Sequence, residues 1–468
     1  MNEETLSQEA GLNPLKKFTT AQLLNFCLGF FGLQFAWQMR IILSGPVTES
    51  LGASPFIFGL IWLAGPVTGM IVQPIIGTLS DKTHTKFGRR RPYLLLGAIL
   101  ASLALWALPN SAGIAAKIFE LIHQPLPVFA ALLVAAVMIW IIDASINAAQ
   151  GPYRALVPDL IPSEQHALAN SFLSFAIGLG SVVAAGTAPC LKYVFNYQMS
   201  IESQFVMAAL AFSLAMLWTC LMINEGKPRS VETSTSNEKE INEAGFIENL
   251  VNFFKSSPEV SKICAVQLFT WIGVMSMMIN FTQYAIHTIY AVPDLTSATE
   301  AVKNSYIAVI SSATNFSSIC FAVFNLVCFL ISIPIGVLSS KFGNKNIHFI
   351  ALISMALALL GMVFTTNTVA VLIFMAIAGI GWASILALPF AMLSEFIKKG
   401  SEGSVMGIFN IFIAGPQVLV CTILAWFISQ CSFDVPQGVN YHWEYALLVG
   451  AVNLVLAAVM TYFIKEKR

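Results

Sequence analysis

The chain has 468 residues, of which 57% are hydrophobic and 10% charged, and its mean hydropathy is +0.76; no soluble globular class has this composition, so it reads as an integral membrane protein. The 24 Lys and Arg balance the 24 Asp and Glu, which leaves no basic excess with which to grip nucleic acid. The 8 cysteines lie in or beside apolar runs and lack ligand-like spacing, so they support neither a disulfide framework nor a zinc site.

The polar start, MNEETLSQEAGLNPLKKF, precedes an apolar stretch too long and too polar-studded for a signal-peptide core, so that stretch is expected to remain as a span. A bilayer core needs about 20 apolar residues per helix. Twelve such segments lie at roughly 20–44, 54–80, 92–109, 128–156, 168–190, 205–223, 262–290, 316–339, 347–365, 369–393, 404–430 and 442–464. The expected fold is all-α, with twelve transmembrane helices in two six-helix halves. With both termini inside, only Lys117, Lys192 and Lys303 among the basic residues outside the spans face outward, so the positive-inside rule predicts N-in and C-in.

In the first span, GFFGLQFAWQMR puts Gln34 and Gln38 one turn apart with Trp37 beside them. Amide donors and acceptors next to an aromatic ring suit a sugar, whose hydroxyls need partners and whose ring face is apolar. Anchoring at the membrane interface suits the same residue types. After the second span comes GTLSDKTHTKFGRRRP (Gly77 to Pro92), and a shorter echo, GVLSSKFGNK (Gly336 to Lys345), follows the eighth. Two such loops six spans apart mark an internal repeat. Parallel duplicated halves with a midplane site describe the major facilitator architecture.

An ionisable group inside a span costs roughly 2.5–3.5 kcal/mol on insertion scales and is a functional candidate by default. Glu49, Glu395 and Glu444 sit at predicted helix ends, where a solvated headgroup-level position is expected. Asp143 lies deep in the fourth span, VMIWIIDASINAAQGPYRAL. From it, Asn147, Gln150 and Arg154 follow at i+4, i+7 and i+11, and eleven residues at about 100° each return within about 20° of the start, so one face carries all four. A rise of about 1.5 Å per residue separates Asp143 from Arg154 by about 16 Å, so Asp143 is expected to titrate alone, with Arg154 nearer the cytoplasmic mouth.

The polar interruption from Asn224 to about Ser261 divides the chain into residues 1–223, a linker 224–261, and residues 262–468. Its Ser/Thr/Glu-rich start is expected to be disordered. Phe246, Ile247, Leu250 and Phe254 recur at helical spacing and predict a short interfacial helix. The seventh span contributes Asn280, Thr282, Gln283 and Tyr284, and the eleventh Asn410 and Gln417. None of these is charged, which favours a neutral polyol. No cluster of nucleophiles appears at one interface, so the chain is not expected to be an enzyme, and no cofactor or metal is expected.

Two stretches, IWLAGPVTGMIVQPIIGTLSDKTHTKFGRRRPYLLLGA (Ile61 to Ala98) and DASINAAQGPYRALVPDL (Asp143 to Leu160), closely resemble the plant sucrose–proton symporters and their animal and bacterial relatives. These belong to the glycoside–pentoside–hexuronide cation symporter group of the major facilitator superfamily. GIGWASILALPFAMLSE in the tenth span and MGIFNIFIAGPQ in the eleventh extend the resemblance over nearly every span. It implies that Asp143 is the proton-coupling group, that Arg154 is needed for transport, and that Asn147 binds sugar or orients Asp143. It also implies that Asp81, Arg89 and Arg90 form a gating motif on the cytoplasmic side. The seventh span departs from the plant pattern: an acidic FDTDW-like stretch is replaced by Asn280-Phe281-Thr282-Gln283-Tyr284.

The expected function is proton-coupled import of a neutral sugar, a glucoside disaccharide such as sucrose or maltose, by alternating access. Candidate sugar-binding residues are Gln34, Trp37, Gln38, Asn147, Gln150, Asn280, Gln283, Asn410 and Gln417. The expected partners are the sugar, protons and the lipid bilayer, with the chain a monomer in the plasma membrane, or the inner membrane of a bacterium. Rival readings are a sodium-coupled symporter of the same fold, a proton-coupled multidrug efflux pump, and a membrane sensor that does not transport.

Overall fold

The computed structural model describes residues 17–83, 85–225, 258–296, 298–396, 402–436 and 438–465. The predicted interfacial helix over Phe246 to Phe254 lies outside them. Within them, 11 helices are long and apolar enough to cross a bilayer, and a bent pair makes 12. The spans are α1 (Thr20–Ser50), α2 (Pro55–Lys82), α3 (Arg91–Ala107), α4 (Ala130–Leu160), α5 (His166–Phe195) and α6 (Ile201–Met222) in the first half. The second half has α7 (Pro258–Ile289), α8 (Glu300–Phe342), α9 (Asn344–Val363), α10 (Thr368–Ser394), α11 (Glu402–Leu419, continuing to Gln430) and α12 (Glu444–Tyr462).

Local signals start several of these helices. Thr19 and Gln22 form a reciprocal capping box at α1, Ser54 accepts from the Ile57 N–H ahead of Pro55, and Asn367 accepts from the Ala370 N–H. Helix interiors tolerate Pro46, Pro152, Pro158, Pro334 and Pro416 because in a bundle neighbouring side chains re-satisfy the freed carbonyls.

Three features depart from the hydropathy reading. Helix α8 starts at Glu300, well before the predicted 316, because its first turns are helical but too polar to register as span. The third span bends by 89° into a short helix, Ser111–Leu121, which falls between the segments expected at 92–109 and 128–156. Between α11 and α12, strands β1 (Ser432–Val435) and β2 (Gly438–Tyr441) pair antiparallel with Ser432 opposite Tyr441.

The two halves repeat one packing scheme. Helix α1 packs on α5 and α6 as α7 packs on α11 and α12, and α4 packs on α2 and α3 as α10 packs on α8 and α9. Small residues let these helices approach closely: a Cβ on Gly32 of α1 would stand 2.7 Å from the Ala211 carbonyl of α6, and one on Gly273 of α7 would stand 3.0 Å from the Gly450 carbonyl of α12. The repeated loops also dock alike. Arg91, after α2, donates to the Cys220 carbonyl at the end of α6 (3.0 Å), and Lys345, after α8, donates to the Ile464 carbonyl past α12 (3.1 Å).

Between the halves, α1 meets α7 and α8, α2 meets α11, and α5 meets α8. The hydrogen bonds described across this seam are Gln38–Asn325, Glu49–Gln283, Glu49–His287, Lys192–Ser312 and Gln198–Ser311. They run from the middle of α1 to the end remote from the termini, hereafter the far end. The near end, where Lys17 pairs with Glu164 and Lys262 reaches the Phe463 carbonyl, is the end to which the polar face of α4 opens.

Candidate functional site

Asp143, Asn147, Gln150 and Arg154 share one face of α4 as their spacing predicts, and exposure rises along it. Asp143 is 0% exposed and Asn147 5%, Gln150 is half-buried and Arg154 is exposed. The face is a polar lane, sealed at Asp143 and open towards the near end.

Asp143 is not alone. Its Oδ2 accepts from Arg40 Nη2 of α1 at 2.5 Å, and both side chains are at most 1% exposed. This corrects the expectation of a solitary carboxylate. The Arg40 guanidinium lies 3.9 Å from the Trp62 ring centroid and 5.8 Å from that of Trp37, so two aromatic faces partly replace the water it lost. Gly65, with no side chain, lets α2 come close: a Cβ there would stand 3.6 Å from Asp143 Oδ2. Asp143 Oδ1, Arg40 Nε and Nη1, and Trp62 Nε1 are buried with no protein partner. Unpaired polar atoms at this depth are costly, and they form one cluster of donors and one acceptor suited to a polyhydroxyl ligand.

One turn on, Asn147 donates to Thr68 Oγ1 at 3.0 Å and accepts from Gln73 at 2.7 Å, and Gln73 also donates to Gln150 at 3.1 Å. Arg154 lies over Phe30 at 5.4 Å and makes no ion pair among the described residues. On α1, Gln38 accepts from Asn325 of α8 at 3.2 Å and keeps a buried, unpartnered Nε2. Gln34 and Trp37 are half-buried, with Gln34 against Gly180 of α5.

The residues on α7 and α11 stand apart from this group. Asn280 donates to the Ser276 carbonyl of its own helix and Gln417 to that of Ile413, while Asn410 is exposed. Gln283 donates to Glu49 at 2.6 Å at the far end. Glu49 is therefore held by protein groups, contrary to the solvated position expected for it. Sequence reasoning missed Arg40, Trp62, Thr68, Gln73 and Asn325. The sequence does carry a signal for Arg40, since an arginine inside a span with no acid within a turn on its own helix needs one elsewhere, and Asp143 is the acid deepest in a span.

At the near end the predicted gating residues form one network. Asp81 pairs with Arg90 at 2.5 Å, Asp159 of α4 accepts from Arg90 at 3.0 Å and pairs with Arg89 at 2.7 Å, and Arg90 donates to Ser80 at 2.5 Å. All these partners belong to the first half. Glu225, just past α6, accepts from the backbone N–H groups of Arg89, Arg90 and Arg91 at 2.6, 2.9 and 2.8 Å, capping α3 with a full negative charge. Gly88 permits this with φ +108°, and a Cβ there would stand 2.5 Å from Glu225 Oε1. Charge-assisted bonds contribute roughly 1.5–3 kcal/mol each, so Glu225→Ala is expected to lower the thermal midpoint of purified protein by several degrees. An unchanged midpoint would show that the cap contributes nothing.

The family model of the Major Facilitator Superfamily matches residues 26–412 and 295–468. The sucrose transport protein SUC4 of Arabidopsis thaliana is 25% identical over 441 residues, covering 87% of this chain and 84% of that protein. The general alpha-glucoside permease of Schizosaccharomyces pombe is 28% identical over 267 residues, covering 56% of this chain and 47% of the permease. Among solved structures, the nucleoside transporter NupG superposes with a TM-score of 0.65 at 12% identity, over 96% of this chain and 100% of that one. The D-xylose-proton symporter gives 0.62 at 15%, over 96% and 99%. At these identities the structures speak for the fold.

Proposed function

The chain belongs to the Major Facilitator Superfamily, and from that membership we propose that it is a proton-coupled symporter importing a neutral sugar, a glucoside disaccharide such as sucrose or maltose, by alternating access. The sucrose and alpha-glucoside transporters it resembles support the substrate class. The observation that carries the reading is the sealed Arg40–Asp143 pair with its unpartnered polar atoms beside Trp37 and Trp62. Residues 1–223 and 262–468 are the two moving bodies and 224–261 the linker. Both termini face the cytoplasm, which makes the far end the outer one, and the protein acts as a monomer in the plasma membrane, or in the inner membrane of a bacterium.

The pair gives the coupling a physical form. With Asp143 ionised, Arg40 neutralises it, and the empty carrier crosses with no net charge at the site. When a proton from outside occupies Asp143, Arg40 loses its counterion and its guanidinium becomes available to sugar hydroxyls, so proton and sugar favour each other's binding. Release of both to the inside restores the pair. The loaded site carries one net positive charge, so transport responds to membrane potential. The outer end shifts between open and closed by as much as each ligand's affinity differs between those states. Asp81, Arg89 and Arg90 act in the gate at the cytoplasmic end, and Arg154 at the mouth of the lane.

Sodium coupling is the second reading, but Arg40 already places a fixed cation against Asp143, where a sodium ion would meet like charge. The test is uptake of radiolabelled sucrose and maltose into proteoliposomes under an imposed pH gradient or an imposed sodium gradient. Accumulation driven by pH alone supports the proposal; accumulation driven by sodium alone, or uptake of neither sugar under either gradient, overturns it. A buried hydrogen bond to ligand contributes about 1–3 kcal/mol, so Gln38→Ala and Asn147→Ala are expected to raise the apparent KM for uptake by roughly fivefold or more. Normal KM in both places the sugar elsewhere.

A further inference from the structure

The far end is closed by a contact whose protons can be counted. Glu49, at the last turn of α1, meets His287 in the π-helical turn Ala285–Ile289 that ends α7. His287 is 4% exposed, and both of its ring nitrogens face oxygen acceptors. Nδ1 stands 2.8 Å from the Val292 carbonyl. A carbonyl can only accept, so Nδ1 carries a hydrogen. Nε2 stands 2.9 Å from Glu49 Oε1 and 3.0 Å from Oε2. A neutral ring with its hydrogen on Nδ1 would aim the Nε2 lone pair at a carboxylate, two acceptors face to face in a buried contact. The contact closes only with one further hydrogen, on Nε2 or on Glu49.

Neighbouring groups fix the ring in this orientation. Trp443 stacks on it at 5.8 Å between centroids, Asn440 Nδ2 lies 3.3 Å from both the His287 and Val292 carbonyls, and Gln283 donates to Glu49. Other titratable groups converge here. Asp294 and Tyr441 line the same cavity as Glu49 and His287. Glu444, at the start of α12, accepts from Thr288 at 3.2 Å and pairs with His442 at 2.6 Å. Lys303 of α8 borders a second cavity that Glu49 also lines. The carboxylates of Glu49 and Asp294 thus line the cavity beside the ring, from α1 and from the segment after α7, while that of Glu444 is held one residue along, on Thr288.

We propose that Glu49 and His287 form a second proton-binding site, separate from Asp143, that is filled when the outer end closes and emptied when it opens. Glu49 belongs to the first half and His287 to the second, so separating the halves divides the site and lets each group meet water. Above the ordinary histidine pKa of about 6.5 the separated groups are a neutral ring and a carboxylate, so closing takes up one proton, whether or not sugar is present; below it the open form already holds that proton. The inference rests on the alternating-access reading but not on the coupling role of Asp143 or on the identity of the sugar.

The test uses full-length protein in nanodiscs without sugar, with spin labels carried on unnatural amino acids at Lys117 and Phe433. Both positions are exposed and lie at the far end of opposite halves, and neither side chain touches Glu49 or His287; Phe433 packs on His442, and because every variant carries the same labels that change is constant across the series. Pulsed electron–electron distances read the ratio of closed to open outer ends against pH. Uptake of one proton predicts a ratio that is level below about pH 6 and falls by up to tenfold per pH unit as pH rises above about 6.5. Placing the labels in an Asp143→Asn background removes the other proton, and the slope is expected to persist there. Adding Glu49→Gln, whose amide donates to a neutral Nε2, is expected to flatten it with the closed form retained at high pH; adding His287→Gln is expected to flatten it as well. If Asp143→Asn fails to fold, Glu49→Gln in the otherwise unmodified chain reads the same change as a smaller slope. A flat response before Glu49 or His287 is altered, or an undiminished slope after, overturns the proposal.

Discussion

Asp143→Asn is expected to abolish uphill sugar accumulation under an imposed pH gradient while leaving exchange of labelled for unlabelled sugar measurable. Asparagine keeps the size and hydrogen-bonding shape of a protonated aspartate but cannot give up a proton. The loaded carrier still crosses, and exchange needs only that. Net accumulation also needs the empty carrier to return, and in the native chain it returns as the neutral Arg40–Asp143 pair, which is sealed from water. In the variant Arg40 has no counterion, and an uncompensated buried charge costs roughly 3–5 kcal/mol, so the empty carrier stalls. A sodium gradient is not expected to rescue it. Assays of both modes in proteoliposomes decide the matter, because accumulation that survives in Asp143→Asn would move the coupled proton to another group.

The parts of this site legible in the sequence are those that follow from one helix at a time. Span count needs only hydropathy, and the face shared by Asp143, Asn147, Gln150 and Arg154 needs only the helical period. Partners on other helices obey neither rule. Arg40 and Asp143 are 103 residues apart, and Asn147 meets Thr68 and Gln73 on α2. Hydropathy ended the first span near residue 44, whereas α1 continues to Ser50; that shortening put Arg40 near a supposed helix end, where a charge needs no explanation. The same error set Glu49 in water, when the extra turn carries it to His287 and Gln283 of the other half. The first turns of α8 and the hairpin β1–β2 were missed because both are too polar to count as span. The near-end network was readable as a motif, but its cap was not, since Glu225 opens a stretch that reads as linker and is folded back onto Gly88.

Arg40 is the other half of the same pair. Arg40→Gln leaves Asp143 buried without its cation, and a carboxylate there neutralises by holding a proton; the variant is then protonated in both directions of the cycle and is expected to lose uphill accumulation as completely as Asp143→Asn. Its exchange activity separates it from Asp143→Asn, because the proposed mechanism uses the freed guanidinium to bind sugar: losing that donor, about 1–3 kcal/mol, is expected to raise the half-saturating sugar concentration roughly fivefold or more. Arg40→Lys keeps the charge but lacks the planar group that lies 3.9 Å from the Trp62 ring centroid, so partial accumulation with weakened sugar affinity is expected. Stability supplies an independent check. Removing one member of a buried pair costs roughly 3–5 kcal/mol, whereas replacing both is often close to neutral, so the thermal midpoint of Arg40→Gln/Asp143→Asn is expected to lie above that of either single variant. The two side chains touch, so their effects are coupled; midpoint losses that simply add would mean that the pair is not formed in the membrane, and the neutral return of the empty carrier would lose its basis.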